Sequence, residues 1–288
     1  MTTVKAALQR ASELQDSDSA RLDTELLLAF VLGKDRTWLY TWPEKILTDE
    51  QAAQFAQLLE RRKAGEPVAH LTGRREFWTL NLHVDPNTLI PRPDTELMVE
   101  IALELPLPER AQVLDLGTGT GAIALAIASE MPGWQVTAVD RVEAAVQLAE
   151  RNRAEHGIGN ARVLVSDWYE QLAGQKYDLI VSNPPYIAGD DPHLEQGDVR
   201  FEPSSALVAD DEGLADIRKI AEGAQAHLVP GGWLMVEHGW QQAEAVRQVF
   251  SEYGFGSIES RKDLAGWERV TLGLLGSEPR RMGSERKL

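Results

Sequence analysis

The sequence predicts an α/β fold: a doubly wound, mostly parallel sheet with an antiparallel closing strand, preceded by a small all-α domain and a β-hairpin linker. Three observations predict it. From Gln112 onward, strand-like and helix-like segments alternate, the pattern of a parallel sheet wrapped on both faces. A turn holding Gly117, Gly119 and Gly121 joins the first of those strands to its helix. Residues 1 to about 66, by contrast, show helical spacing only.

In the N-terminal segment Leu22, Leu26, Leu27, Phe30 and Val31 recur at helical spacing, and Thr48 to Gln51 form a capping box that opens a helix stopping at Gly65 and Pro67. Trp38, Tyr40 and Trp42 are expected to fill the core of this bundle. Arg74 to Val84 reads as a short hairpin, and a proline-braced loop then enters a helix from about Asp94. Strands follow at Gln112–Asp115, Gln135–Asp140, Arg162–Val165 and Tyr177–Val181, with helices at Gly121–Glu130 and Val142–His156. Helix Leu214–His227, strand Trp233–Glu237, helix Gln241–Tyr253 and a strand pair near Ser257–Ser260 and Glu268–Leu274 complete the pattern. The boundaries that result are 1–72 for the helical domain, 73–93 for hairpin and linker, and 94–275 for the sheet domain. Residues 276–288 lack periodicity and are expected to be disordered.

Composition excludes several classes of function. With 43% hydrophobic and 26% charged residues the chain reads as an ordinary globular protein, and no apolar run approaches the ~18 residues that span a bilayer. The N-terminus lacks a signal-peptide core and there is no cysteine, so a cytoplasmic location is expected. Histidines 70, 83, 156, 193, 227 and 238 show no ligand spacing, and no metal is predicted. Residues 1–75 hold 11 Lys+Arg and 11 Asp+Glu, so the net charge of −16 falls on the remainder. Such a surface does not draw a phosphate backbone over long range. The local exception, Glu60 to Glu76, carries Arg61, Arg62 and Lys63; they complement a helix C-terminus or form a partner-binding patch.

The glycines between strand and helix let a ligand approach the backbone and the N–H groups of the helix start, as in Rossmann-like folds. Asp140, at the end of the next strand, can accept both hydroxyls of a ribose. A nucleoside-containing cofactor follows. Asp115 precedes the glycines, where a carboxylate reaches an ammonium directly or through water but would repel a pyrophosphate, which favours S-adenosylmethionine; alternatively Asp115 caps the turn. Asp167 and Trp168, ending the third strand, can take the adenine amino group and cover its ring, or Trp168 fills the core.

Asn183, Pro184, Pro185 and Tyr186 end the next strand and so face the same crevice. If the acceptor is a conjugated nitrogen, its lone pair is a poor nucleophile, and abandoning amide conjugation costs on the order of 18 to 20 kcal/mol. Asn183 Oδ1 and the Pro184 carbonyl can take the two N–H bonds of an NH₂ group. Each bond nets only ~1 kcal/mol, whereas fixing nucleophile and methyl in line is worth roughly 7 to 11 kcal/mol. Positioning therefore dominates. The prolines stiffen the turn, Tyr186 lies against the planar acceptor, and no obligatory general base is expected, because the methylated nitrogen sheds its proton readily.

The glycine loop, the Asn-Pro-Pro-Tyr turn, the loop from Thr88 to Glu96 and the helical N-terminal segment together resemble the peptide chain release factor glutamine N5-methyltransferase family, also called HemK or PrmC. The resemblance covers nearly the whole chain. It implies a class I S-adenosylmethionine-dependent methyltransferase that modifies the glutamine of the Gly-Gly-Gln motif in class 1 release factors. It further implies that Gly117, Thr118, Gly119, Thr120 and Gly121 line the cofactor pocket, that Asp140 holds the ribose and Trp168 lies by the adenine, and that Asn183 touches the cofactor and, with Pro184, Pro185 and Tyr186, receives the glutamine; residues 1–72, small, nearly neutral and helical, suit docking a protein substrate. The four-residue turn is shared with adenine-N6 and some guanine-N2 nucleic-acid methyltransferases, which need a cationic groove or an added recognition domain; here the catalytic portion is acidic and the extra domain nearly neutral, which favours a protein substrate. A cofactor-binding module without turnover is a further alternative. Arg92 and Asp94 close over the glutamine, or Asp94 only caps its helix. Glu237 and His238 end a later strand and could be taken for an acid/base pair, but a satisfied strand-end histidine is expected; the polar stretch from Gly189 to Leu207 reads as a lid or substrate-shaping loop.

Overall fold

The structure is a computed structural model that describes residues 1–195 and 197–276. The tail from residue 277, part of the segment expected to be disordered, lies outside the described residues. In chain order the elements are α1 (Val4–Gln9), α2 (Ala20–Leu32), α3 (Arg36–Thr41), α4 (Asp49–Lys63), α5 (Val68–Thr72), β1 (Arg74–Phe77), β2 (Leu80–His83), α6 (Glu96–Glu104), β3 (Gln112–Leu116), α7 (Ala122–Glu130), β4 (Gln135–Asp140), α8 (Glu143–Glu155), β5 (Ala161–Val165), β6 (Tyr177–Ser182), α9 (Ala215–His227), β7 (Leu228–Glu237), α10 (Ala243–Glu252), β8 (Phe255–Lys262) and β9 (Glu268–Leu275). They divide into two compact units, one of residues 1–75, 84–86 and 192–202, the other of 76–83, 87–191 and 203 onward.

The first unit is a helical bundle around Val4, Leu27, Leu28, Leu39, Phe55 and Leu59. The Thr48 to Gln51 capping box is formed at the start of α4. Two expectations are corrected here. The buried face of α2 runs through Thr24, Leu27 and Leu28, while Leu22 and Phe30 are exposed. Asp23 and Glu25 occupy the buried face because each finds donors there: Asp23 accepts from Arg62 at 2.7 Å, and Glu25 from the cations Arg21 and Arg36 and from the Tyr40 hydroxyl. Burial works against the Glu25 charge, yet these three donors hold its pKa below the usual range. Tyr40 and Trp42, expected in the core, are exposed; the six-residue α3 turns only Leu39 fully inward, with Trp38 partly buried against the bundle. Arg61, Arg62 and Lys63 form the last turn of α4, where Arg62 also donates to the carbonyls of Gly65 and Glu66 and pairs with Asp198 at 2.8 Å.

The second unit carries a seven-stranded sheet in the order β5-β4-β3-β6-β7-β9-β8, with β9 antiparallel to its neighbours. Side chains alternate across it. Val113, Val136, Leu179 and Met235 pack with α6 and α7 on one face, and Leu114, Val139, Ile180 and Leu234 pack with α9 and α10 on the other. β7 begins at Leu228, five residues before the expected Trp233. Its Pro230-Gly231-Gly232 segment reads as a breaker but sits in a register shift against β6. The chain reverses direction across the sheet between β3 and β6, and this switch point places the loop after β3 beside the turn after β6.

Candidate active site

The loop after β3 is shaped by three glycines with positive φ, and they serve different ends. A Cβ on Gly117 would lie 3.7 Å from the Trp168 ring, so this glycine borders the crevice. A Cβ on Gly121 would press at 3.0 and 3.2 Å on Leu125 and Ala149, so that glycine admits close packing of α7 and α8. The loop is fixed from several sides. Gly117 and Thr118 donate to the Val139 carbonyl, Gly119 donates to Asp140 Oδ2 at 3.0 Å, and buried Asn152 donates to the Thr120 carbonyl at 2.9 Å.

Asp140 also accepts from the Val142 N–H through Oδ1, at 2.9 Å. Each carboxylate oxygen keeps acceptor capacity beyond these bonds. Trp168 holds φ +44, an unfavourable backbone for a bulky residue, in a turn tied by Ser166 Oγ to its own carbonyl at 3.0 Å. The strain aims its ring over Gly117. Thr118 donates to Asp115 Oδ2 at 2.6 Å, while Asp115 Oδ1 is buried without a partner. Burial pushes the Asp115 carboxyl up to about 7, against the pull of the Thr118 hydroxyl.

The turn after β6 begins where Ser182 Oγ donates to the Leu116 carbonyl at 2.7 Å, locking the ends of β3 and β6 together. Asn183 Nδ2 donates to Thr95 Oγ1 at 3.3 Å. Tyr186 O–H donates to Glu237 Oε1 at 3.4 Å, and its backbone carbonyl accepts from Gln242 Nε2 at 3.0 Å. Burial raises the Tyr186 pKa, and the Glu237 charge adds to the rise, so the phenol is neutral. The first turn of α6 has no side-chain cap, so Asp94 does not cap that helix; it lies 3.7 Å from Arg269.

One crevice of about 960 Å³, counting the part open to solvent, runs between these turns. It is lined by Gly117, Thr118, Gly119, Thr120, Asp140, Asp167 and Trp168 together with Arg92, Asn183 and Pro185. Asp115, Gly121, Pro184 and Tyr186 do not line it: Asp115 lies under the loop, Gly121 in the α7 packing, and Tyr186 against Glu237. The crevice adds residues that the sequence reading missed. Thr88 and Thr95 come from the proline-braced loop, and Thr88 Oγ1 is buried without a hydrogen-bond partner. His238 is the satisfied histidine expected, with Nδ1 2.9 Å from the Gly239 carbonyl and Nε2 2.8 Å from Thr271 Oγ1. Glu237 is not satisfied: its Oε2 has no partner, and burial raises its pKa to about 7. Among the described residues no cluster of His, Cys, Asp or Glu could hold a metal ion, and no helix is long and apolar enough to cross a membrane.

The donor set fits S-adenosylmethionine. An acid with spare lone pairs at Asp140, an aromatic face at Trp168, and unpartnered oxygens at Thr88 and Asp115 match a ribose, a purine and an ammonium. Fold and crevice together define an S-adenosylmethionine-dependent methyltransferase, and comparisons agree. Residues 94–204 match the family model of the methyltransferase small domain, and residues 6–73 that of the PrmC N-terminal domain. The structure is similar to a methyltransferase from Pyrococcus furiosus (TM-score 0.54, 21% identity, 77% of this chain and 98% of that one). It is also similar to the catalytic domain of hMettl16 in complex with an RNA hairpin (TM-score 0.57, 16% identity, 74% of this chain and 81% of that one). At such identities these two establish the fold alone. The chain is 56% identical over 273 residues to the release factor glutamine methyltransferase of Pseudomonas aeruginosa, covering 95% of this chain and 99% of that protein. Its identity to the Escherichia coli K12 enzyme of the same name is 57% over 263 residues, 91% of this chain and 95% of that protein. The chain belongs to the release factor glutamine methyltransferase family.

The Asp115 carboxyl provides a pH test of the crevice. Asp115 lies beneath the loop and does not line the crevice, so its ionised form would act on a bound ammonium only from behind the loop; with a pKa near 7 that form grows as pH rises. Affinity for S-adenosylmethionine should therefore increase several-fold between pH 6 and pH 8, by isothermal titration. Asp115→Asn should bind more weakly and lose this slope; a slope unchanged in the variant would assign it to another group.

Proposed function

We propose that the chain methylates the side-chain amide nitrogen, N5, of the glutamine in the Gly-Gly-Gln motif of class 1 peptide chain release factors. The observation that carries this reading is the Asn-Pro-Pro-Tyr turn, set at the switch point beside the glycine loop in a chain whose curated relatives are named for this reaction. When bound, S-adenosylmethionine supplies a methyl group on a sulfonium. Gly117 to Thr120, Asp140, Asp167 and Trp168 hold it, with Asp115 and Asn183 also contributing. The Asn183 Oδ1 and the Pro184 carbonyl accept the two N–H bonds of the glutamine amide, and the rigid prolines keep these acceptors in place. Pro185 flanks the amide plane, Tyr186 backs the turn against Glu237, and Arg92 closes the crevice mouth.

Hydrogen bonds of ~1 kcal/mol each cannot offset the loss of amide conjugation, so the residues act chiefly by alignment. None of them acts as an obligatory base. Neutral Tyr186, its pKa raised by burial, is consistent with a packing role. The helical segment before residue 73 docks the release factor, and the reaction takes place in the cytoplasm. The acidic surface of the remainder does not favour direct nucleic-acid binding.

The test is transfer of labelled methyl from S-adenosylmethionine to a purified release factor, with the tip glutamine replaced as control, followed by mass spectrometry of the tip peptide. Label that appears equally in the control would overturn the site of modification. Label found on RNA or DNA, with affinity falling steeply as salt rises, would favour a nucleic-acid substrate instead.

A further inference from the structure

We propose that Gln242 is a positioning residue for methyl transfer, latching the exit of the Asn-Pro-Pro-Tyr turn to a left-handed turn at Asp211–Gly213; this rests on the proposed function. Pro184 and Pro185 carry no N–H, so the turn offers no donor at those two positions and has to be held from its ends. At the entry Ser182 Oγ holds it to the Leu116 carbonyl at 2.7 Å. At the exit Ile187 donates to the Leu207 carbonyl and accepts from the Ala209 N–H, and the Tyr186 carbonyl takes its bond from Gln242.

Gln242 stands at the N-cap position of α10, yet its side chain makes no capping bond to that helix. Its amide instead joins three backbone segments. Oε1 accepts from the Gly239 N–H at 2.8 Å, and Nε2 donates to the carbonyls of Tyr186 at 3.0 Å and Glu212 at 2.9 Å. Geometry fixes the direction of this amide, since the first partner can only donate and the other two can only accept.

The Glu212 carbonyl belongs to an uncommon backbone. Asp211, Glu212 and Gly213 have φ +57, +54 and +85, three successive left-handed residues, a state that persists only where the surroundings over-determine it. Those surroundings are the Gln242 bond, N–H bonds from Gly213 and Ala215 to the Asp210 carbonyl, each at 3.1 Å, and Arg218 paired with Asp211 at 3.0 Å. The result seats Gly213 against Tyr186 so closely that an added Cβ would lie 2.1 Å from its carbonyl oxygen. One carbonyl is thus held from two sides, and the prolines, with fixed φ, carry its position back to the Pro184 carbonyl.

The variants are Gln242→Glu, which has the same shape and keeps the acceptor for Gly239 but has no donor; Gln242→Met, which has neither; and Gln248→Glu, the same change on the exposed face of α10. An acid at a helix N-terminus favours the helix, so Gln242→Glu retains the fold. Methyl transfer to a purified release factor is followed together with Kd for S-adenosylmethionine, KM for the release factor, and the NMR resonances of the Tyr186 carbonyl and the Asn183 side-chain amide. Both Gln242 variants should lower kcat about tenfold and displace both resonances, with Kd and KM within twofold of the wild type. Gln248→Glu should match the wild type within twofold in every measurement. Wild-type kcat in the Gln242 variants, a loss carried by Kd or KM alone, unmoved Tyr186 and Asn183 resonances, or an equal loss in Gln248→Glu would each overturn the latch. If the wild-type protein leaves the release factor unmodified, the proposed function fails, while the displacement of the two resonances still decides whether Gln242 sets the turn.

Discussion

Replacing Asn183 by alanine should lower kcat for amide methylation by about a thousandfold, ~4 kcal/mol of lost transition-state stabilisation. The magnitude follows from the role proposed for the residue. Alignment is worth roughly 7 to 11 kcal/mol in total, and in the proposed mechanism two acceptors, the Asn183 side chain and the Pro184 carbonyl, share the task of orienting one NH₂ group. Removing one leaves the amide tethered at a single point and free to turn its lone pair away. Asn183 is partly exposed at the crevice and makes a single side-chain bond, to Thr95, so folding should survive, with a melting temperature within a few degrees of wild type. Single-turnover transfer of labelled methyl, with cofactor saturating, isolates the step. A variant with normal kcat would remove the basis for the positioning mechanism.

A second large effect should come from Gly213→Ala, outside the crevice. Gly213 holds φ +85, and an added Cβ would lie 2.1 Å from the Tyr186 carbonyl oxygen and 2.6 Å from Gln242 Nε2. Neither neighbour yields easily. Gln242 donates to the carbonyls of Tyr186 and Glu212 at 3.0 and 2.9 Å, and accepts from the Gly239 N–H at 2.8 Å, so it clips three backbone segments together. The Tyr186 carbonyl must move and carry the turn with it. Stability should fall by about 2–4 kcal/mol in chemical denaturation, and kcat by roughly a hundredfold. Gly33→Ala supplies the control, because Gly33 has φ +60 but nothing within 4 Å of an added Cβ. It should show backbone strain alone, ~1–2 kcal/mol, with kcat unchanged. Equal effects in the two variants would mean that the contact with Tyr186 does not matter.

Most of the sheet domain was legible in the sequence, since strand and helix periods, the glycine loop and the proline turn are local patterns with local causes. Where the reading failed, the deciding partner was distant. The buried face of α2 follows Asp23 and Glu25, acids that a hydrophobic pattern assigns to solvent, because Arg62, Arg36 and Tyr40 reach them from other helices. The exposure of Tyr40 and Trp42 follows from the orientation of a six-residue helix too short to show a period. Asp94 shows the same limit, since a capping residue and a partner of Arg269 look alike in a sequence.

By itself, then, the sequence determined the alternating architecture, the residues shaping the loop after β3, and the stiff turn after β6. Only the tertiary structure decided what stands behind that turn. β6 pairs with β7 so that Ser182 lies opposite Val236, which carries Glu237 up beside Asn183 and Tyr186. Thr95 arrives from before α6, and Gln242 and Gly213 arrive from either side of β7. These residues are 27 or more positions from the turn in the chain, and what unites them is strand register and buried hydrogen bonding, neither of which leaves a periodic trace in the order of amino acids.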